Sequence, residues 1–66
     1  MNERTMAERD AERANGPYWV QVCEYGDWEV AEWSGLYSLW RQAGEEHPFI
    51  SECWFAIDER PIVRQP

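Results

Sequence analysis

The chain has 66 residues, a net charge of −7, five Trp, and six bases that are all Arg. So short a chain holds one domain at most, with thin burial unless large side chains or self-association add to it. The acid excess argues against nucleic acid and anionic membranes as direct partners, since both are bound by setting Lys and Arg against phosphates. It favours a basic protein surface, or else serves only solubility. No apolar run approaches the ~20 residues that span a bilayer, and the charged N-terminal stretch lacks the layout of a signal peptide. A soluble cytoplasmic protein is expected. In a reducing compartment Cys23 and Cys53 read as unpaired, buried small hydrophobes.

Residues 1–16 contain no aromatic side chain and mix acids with arginines. Thr5-Met6-Ala7-Glu8 fits a capping box, and Asn15-Gly16-Pro17 is a stop signal, which predicts a helix from Met6 to Ala14. Its apolar stripe is Ala7, Ala11 and Ala14, with Met6 at one end. A helix with so little to bury either packs that stripe on a sheet or frays. Residues 1–16 are therefore a helix or flexible arm, and 17–66 a Trp-rich β domain.

From Pro17 the hydrophobic period is two. Tyr18 to Tyr25 reads as a strand, Gly26-Asp27 as a tight turn, and Trp28 to Trp33 as the second strand. Ser34-Gly35 is another tight turn, and Leu36 to Gln42 the third strand. AGEEHP (Ala43 to Pro48) is a polar loop. Phe49 to Ile57 holds a fourth strand, best placed at Cys53 to Ile57, and Arg60 to Pro66 is an extended tail. The predicted fold is α+β: a small antiparallel β-meander of three to four strands with one short N-terminal helix.

Tight turns fix a register in which Tyr25 faces Trp28 and Trp33 faces Leu36. One face then carries a row of Cys23, Val30 and Leu39, which looks like a core, with Trp28 on the same side and Arg41 opposite Trp28 as a cation–π pair. The other face carries Val20, Trp33 and Leu36, with Trp40 beside them and Glu24 directly opposite Glu29. Opposed like charges destabilise a sheet unless solvent or a cation is near. Trp33 and Trp40 are covered either by the helix or by a second subunit or partner; a homodimer is one form of this.

Catalytic signatures are lacking. His47 sits in a polar loop without an orienting partner, Ser34, Ser38 and Ser51 belong to no nucleophile motif, and Cys23, Cys53 and His47 lack metal-ligand spacing. There is no phosphate-cradling glycine loop. The expectation is a protein that is not an enzyme and carries no cofactor or metal. Two groups of residues invite a binding role. Glu24, Asp27, Glu29 and Glu32 on the first hairpin, with Glu45, Glu46 and Glu52 beyond it, could occupy a groove built for phosphates, or simply be solvated. Trp33 and Trp40, with Tyr18 and Trp54, could stack a base or nucleotide, though only Arg41, Arg60 and Arg64 are at hand for a phosphate; the alternative is core packing.

PYWVQVCEYGDWEVAEW and the closing FAIDERPIVRQP resemble short Trp-rich proteins of phages and prophages, which open on a Y-W-V-x-V strand, continue with W-x-V-A-x-W and end on a Pro-containing tail. The resemblance spans residues 17–66 and carries over no catalytic residue. It implies a phage-encoded accessory protein, and by analogy an inhibitor of host machinery of the anti-CRISPR kind, acting in the cytoplasm of an infected or lysogenic bacterium. Three readings follow. The chain blocks a basic, nucleic-acid-binding surface of a host defence complex through Glu24, Asp27, Glu29, Glu32, Trp33, Trp40, Glu45 and Glu46. Or it is an oligomer whose aromatic pocket sequesters a small ligand such as a signalling nucleotide. Or it is an assembly module.

Overall fold

The computed structural model describes residues 4–63, so the last residues of the tail, Arg64 included, lie outside the described residues. Helix α1 spans Met6–Glu12. The capping box forms: the Glu8 N–H donates to Thr5 Oγ1 at 3.2 Å, and the Glu8 carboxylate accepts from the Thr5 N–H at 3.1 Å. These bonds, the one to the Thr5 backbone foremost, hold the Glu8 carboxyl below its ordinary pKa. The helix stops short of Ala14 because Arg13 turns extended (φ −74°, ψ 126°).

The strands are β1 (Gly16–Gln21), β2 (Trp28–Ser34), β3 (Leu39–Arg41) and β4 (Ala56–Ile57). They form one antiparallel sheet in the order β3-β2-β1-β4, so β1 to β3 make a meander and β4 returns to the free edge of β1. The α+β architecture and the antiparallel sheet are as the sequence predicts.

The tight turns are not. Pairing breaks off at Gln21 and resumes at Trp28, then breaks off at Ser34 and resumes at Leu39. Trp28 faces Gln21 rather than Tyr25, and Trp33 faces Trp40 rather than Leu36. In the first loop the Gln21 side-chain amide donates to the carbonyls of Glu24 and Gly26 at 3.1 and 2.8 Å, and the Gly26 N–H closes a turn on the Cys23 carbonyl. In the second hairpin the slip brings Trp33 and Trp40 within 5.1 Å, ring to ring. Each slip is an even number of residues, and the side-chain period of a strand is two, so no strand turns over.

The residues that stay in the strands keep their predicted faces, but the roles of the faces are reversed, and Leu36, expected in a row with Val20 and Trp33, lies in the loop before β3 and is 80% exposed. The core is Tyr18, Val20, Ala31, Trp33, Trp40 and Trp54, on the side that carries Trp33 and Trp40. The Cys23–Val30–Leu39 row does not exist: Cys23 lies in the exposed loop and Val30 faces Trp19. Glu24 does not oppose Glu29, whose partner is Val20, and Arg41 faces Glu32, not Trp28. Both cysteines are exposed and unpaired, contrary to the buried reading.

The chain itself covers the core. Phe49 pairs with Trp40 at the β3 edge, and the Phe55 N–H donates to Gln21 O at the β1 edge. The segment between crosses the core face as a 3₁₀ turn, Ser51–Cys53, in place of the start of the predicted fourth strand, and delivers Trp54. Trp54 meets Trp40 edge-on at 6.2 Å, and Tyr18 meets Trp40 edge-on at 5.7 Å, the arrangement that ring quadrupoles prefer. Helix α1 packs against the 3₁₀ turn, but not through its alanines. Ala7, Ala11 and Ala14 are exposed. The inward residues are Met6, Arg9, Asp10 and Arg13, the same i, i+3, i+4, i+7 spacing drawn on another face.

Candidate functional site

The inward helix face sets up the most connected polar cluster among the described residues. Arg13 has a side chain only 1% exposed. It donates to Asp10 Oδ1 at 2.6 Å and to both Glu59 oxygens at 2.8 and 2.7 Å. Its guanidinium carbon lies 4.7 Å from the Trp33 ring centroid and 4.8 Å from that of Trp40. Ser51 Oγ accepts from the Trp40 indole N–H at 2.8 Å and donates to Asp10 Oδ1 at 2.7 Å. Arg9 adds a second guanidinium, and a third bond, to Glu59 at 2.8 Å. Burial alone would raise the Glu59 pKa, but the bonds from Arg13 and Arg9 outweigh it and hold the carboxyl below its ordinary value. Burial likewise works against the Arg13 charge, and Glu59 and Asp10 more than restore it. Every member has a partner, and the hydroxyl–carboxylate pair of Ser51 and Asp10 is closed off with Ser51 only 1% exposed, so the cluster is a clasp between helix, 3₁₀ turn and β4 tail.

Trp33 and Trp40 are 2% and 0% exposed. As partner-binding residues they are corrected: they are the centre of the core, stacked under Arg13. Tyr18 and Trp54, the other rings offered for stacking a nucleotide, are buried with them. The Tyr18 hydroxyl is tied to the Ala14 carbonyl at 2.7 Å, and burial raises its pKa.

The predicted acidic residues are all exposed. Glu24 and Asp27 lie in the loop between β1 and β2, and Glu29 is at the start of β2. Gln42 donates to Glu29 at 3.1 Å, and its carbonyl accepts the Glu45 N–H, which brings the loop of Glu45 and Glu46 to the same end of the sheet. Glu32 lies apart, opposite Arg41 on the outer face.

That outer face holds what the sequence reading does not single out. Trp19, Trp28 and Val30 are 42%, 46% and 43% exposed. Trp19 and Trp28, with Asp58 and Arg60, line an open cleft of about 590 Å³. Arg60 forks onto Asp58 at 3.1 and 2.9 Å, and these bonds lower the Asp58 carboxyl to about 2. The period-two pattern places both rings on one face; that this face is the open one depends on which side the 3₁₀ segment crosses. Asp-x-Arg before a Pro is the one local signal of the cleft's polar wall.

Among the described residues no group of His, Cys, Asp and Glu could hold a metal, and no helix is long and apolar enough to cross a membrane. Compared with protein-family models, curated proteins and solved structures, the chain matches none.

Proposed function

We propose that the chain is a non-enzymatic binding protein that occupies a basic, nucleic-acid-binding surface of a protein complex through its acidic end. One observation carries this reading: the charge is partitioned. The ion pairs of Arg4, Arg9, Arg13 and Arg60 draw on Asp10, Glu12, Asp58 and Glu59. No ion pair among the described residues draws on Glu24, Asp27, Glu29, Glu45 or Glu46. Glu8 on the helix and Glu52 on the 3₁₀ turn also stand outside those pairs, but the larger part of the surplus negative charge falls at the hairpin end, where it can steer association with a cationic surface and set carboxylates where phosphates would sit. In its finer form the target is a defence complex of an infected bacterium and binding is inhibitory; the likeness to Trp-rich phage proteins supplies that choice of complex.

The test is capture from bacterial lysate on the immobilised protein, at low and high salt and with duplex DNA as competitor. It is run beside the variant Glu24→Gln, Asp27→Asn, Glu45→Gln, Glu46→Gln. The expected result is retention of nucleic-acid-binding proteins, release by salt and by DNA, and loss in the neutralised variant. An empty eluate, or retention indifferent to DNA and to neutralisation, overturns the reading.

A further inference from the structure

The cleft on the outer sheet face has a chemistry of its own. Trp19 faces Val30 and Gln21 faces Trp28, so the two tryptophans are diagonal neighbours on adjacent strands, within reach of one another. Asp58 forms the wall beside them, anchored by its N–H to the Trp19 carbonyl at 2.9 Å. The Arg60 guanidinium rests on that carboxylate as a two-pronged fork, and the Arg60 backbone N–H holds Asp58 Oδ1 at 3.0 Å. The Arg60 side chain is 88% exposed.

Two half-exposed indoles next to an oriented carboxylate suit a cation: the ring faces attract it and the carboxylate accepts a guanidinium fork. We infer that this cleft is the seat for an arginine side chain of a basic partner, and that Arg60 holds the carboxylate end of it until the partner arrives. The inference rests on the partner being basic, as proposed above. Exchange is easy, because an exposed ion pair holds Arg60 only weakly. The backbone bond to Oδ1 stays in place and keeps the carboxylate aimed. An anionic nucleotide is the poorer fit. Among the described residues the one cation of the cleft, Arg60, is already neutralised by Asp58, and Asp27 is adjacent to Trp28 in the chain, so a phosphate would find no net positive charge in this lining. Lysine would gain the ring faces but not the fork.

The experiment follows the five indole N–H signals of the nitrogen-15-labelled chain. Oligo-arginine, oligo-lysine of equal length and ADP are titrated separately. Oligo-arginine should move the Trp19 and Trp28 signals saturably and leave those of buried Trp33, Trp40 and Trp54 in place, which also shows that the fold is intact. Oligo-lysine should bind more weakly. Asp58→Asn should weaken arginine binding, and Trp19→Ala should weaken it about threefold or more. The decisive variant is Arg60→Ala: vacating the seat should tighten oligo-arginine binding about threefold, since the competing pair is exposed. Binding indifferent to Arg60→Ala and Asp58→Asn, shifts that avoid Trp19 and Trp28, or preferential binding of ADP that is lost in Arg60→Ala would each overturn the inference. Failure here with DNA-sensitive lysate capture intact removes the seat alone; failure of capture with a working seat removes the acidic-end reading alone.

Discussion

Arg13→Ala is the sharpest probe of how this chain stays folded. The substitution deletes the bonds to Asp10, Glu59 and Ser51 and the cation over Trp33 and Trp40. Removing one partner of a fully buried ion pair costs about 3–5 kcal/mol, because the other charge is stranded. Asp10 and Glu59 keep side-chain exposures of 20% and 37%, so water partly replaces the lost partner. The discounted cost is roughly 2–3 kcal/mol. A domain of this length has a total stability of about 3–10 kcal/mol, at ~0.05–0.15 kcal/mol per residue. The loss is thus a large share of what exists. Urea unfolding followed by Trp emission should show it as a lower midpoint at unchanged slope. Thermal unfolding should show a drop of about 8–24 °C, at ~4–8 °C per kcal/mol. Arg13→Lys keeps the charge but not the fork, and should fall between. A midpoint shift for Arg13→Ala worth less than about 0.5 kcal/mol would refute the claim that the clasp holds the helix to the core.

The remaining predictions concern the same structure. Glu59 has a folded pKa below its ordinary value of 4.5, so the stability it contributes is complete above that pH and is lost as pH falls through the lowered folded value; acid titration of the wild type should show this loss, and Arg13→Ala should flatten it. Ser51→Ala leaves the buried Trp40 indole N–H without its acceptor and should cost about 1–3 kcal/mol in the same urea assay; no loss would mean that the hydroxyl is not the acceptor. Gly16 sits at φ +140°, and a side-chain methyl there would meet no neighbouring atom within 4 Å, so Gly16→Ala should destabilise by about 1 kcal/mol or more through backbone strain alone; an unchanged urea midpoint would count against that strain. Cys23 and Cys53 should both react with a thiol reagent in native buffer, and a thiol that needs denaturant would contradict their exposure.

Much of the fold is local and legible in the sequence. The capping box at Thr5 and Glu8 satisfies itself within one helical turn, and the alternation from Pro17 assigns Trp33 and Trp40 to one face, Trp19 and Trp28 to the other. What is not legible is non-local. Gly26-Asp27 and Ser34-Gly35 carry tight-turn chemistry, yet Gln21 binding the loop carbonyls and Trp33 meeting Trp40 outweigh it. Because the slips are even, the faces survive them and only the loops and pair partners change. Which face is buried is decided by where residues 50–55 cross, and that path is set by the Phe49–Trp40 bridge and the Phe55 bond to Gln21. No local pattern encodes it. The exposure of acids such as Glu24 and Asp27 is therefore easier to read from sequence than the burial of rings such as Trp33, which suit a core and a binding face equally.

The helix face shows the same limit from another side. Three alanines make an apolar stripe, but alanine buries little area. Arg13 brings an apolar stem, a planar cation that lies against indole faces, and donors for two carboxylates. A core made of rings can accept such a group where an aliphatic core would not. The consequence reaches the surface. By drawing Asp10 and Glu59 into the clasp, Arg13 and Arg9 commit their charge to the helix side of the molecule, as Arg60 does to Asp58. Most of the carboxylates outside these pairs then stand in the first hairpin loop, at the start of β2 and in the loop after β3, with Glu8 on the helix and Glu52 on the 3₁₀ turn. The way this small core is closed therefore leaves the acidic end that the proposed function uses.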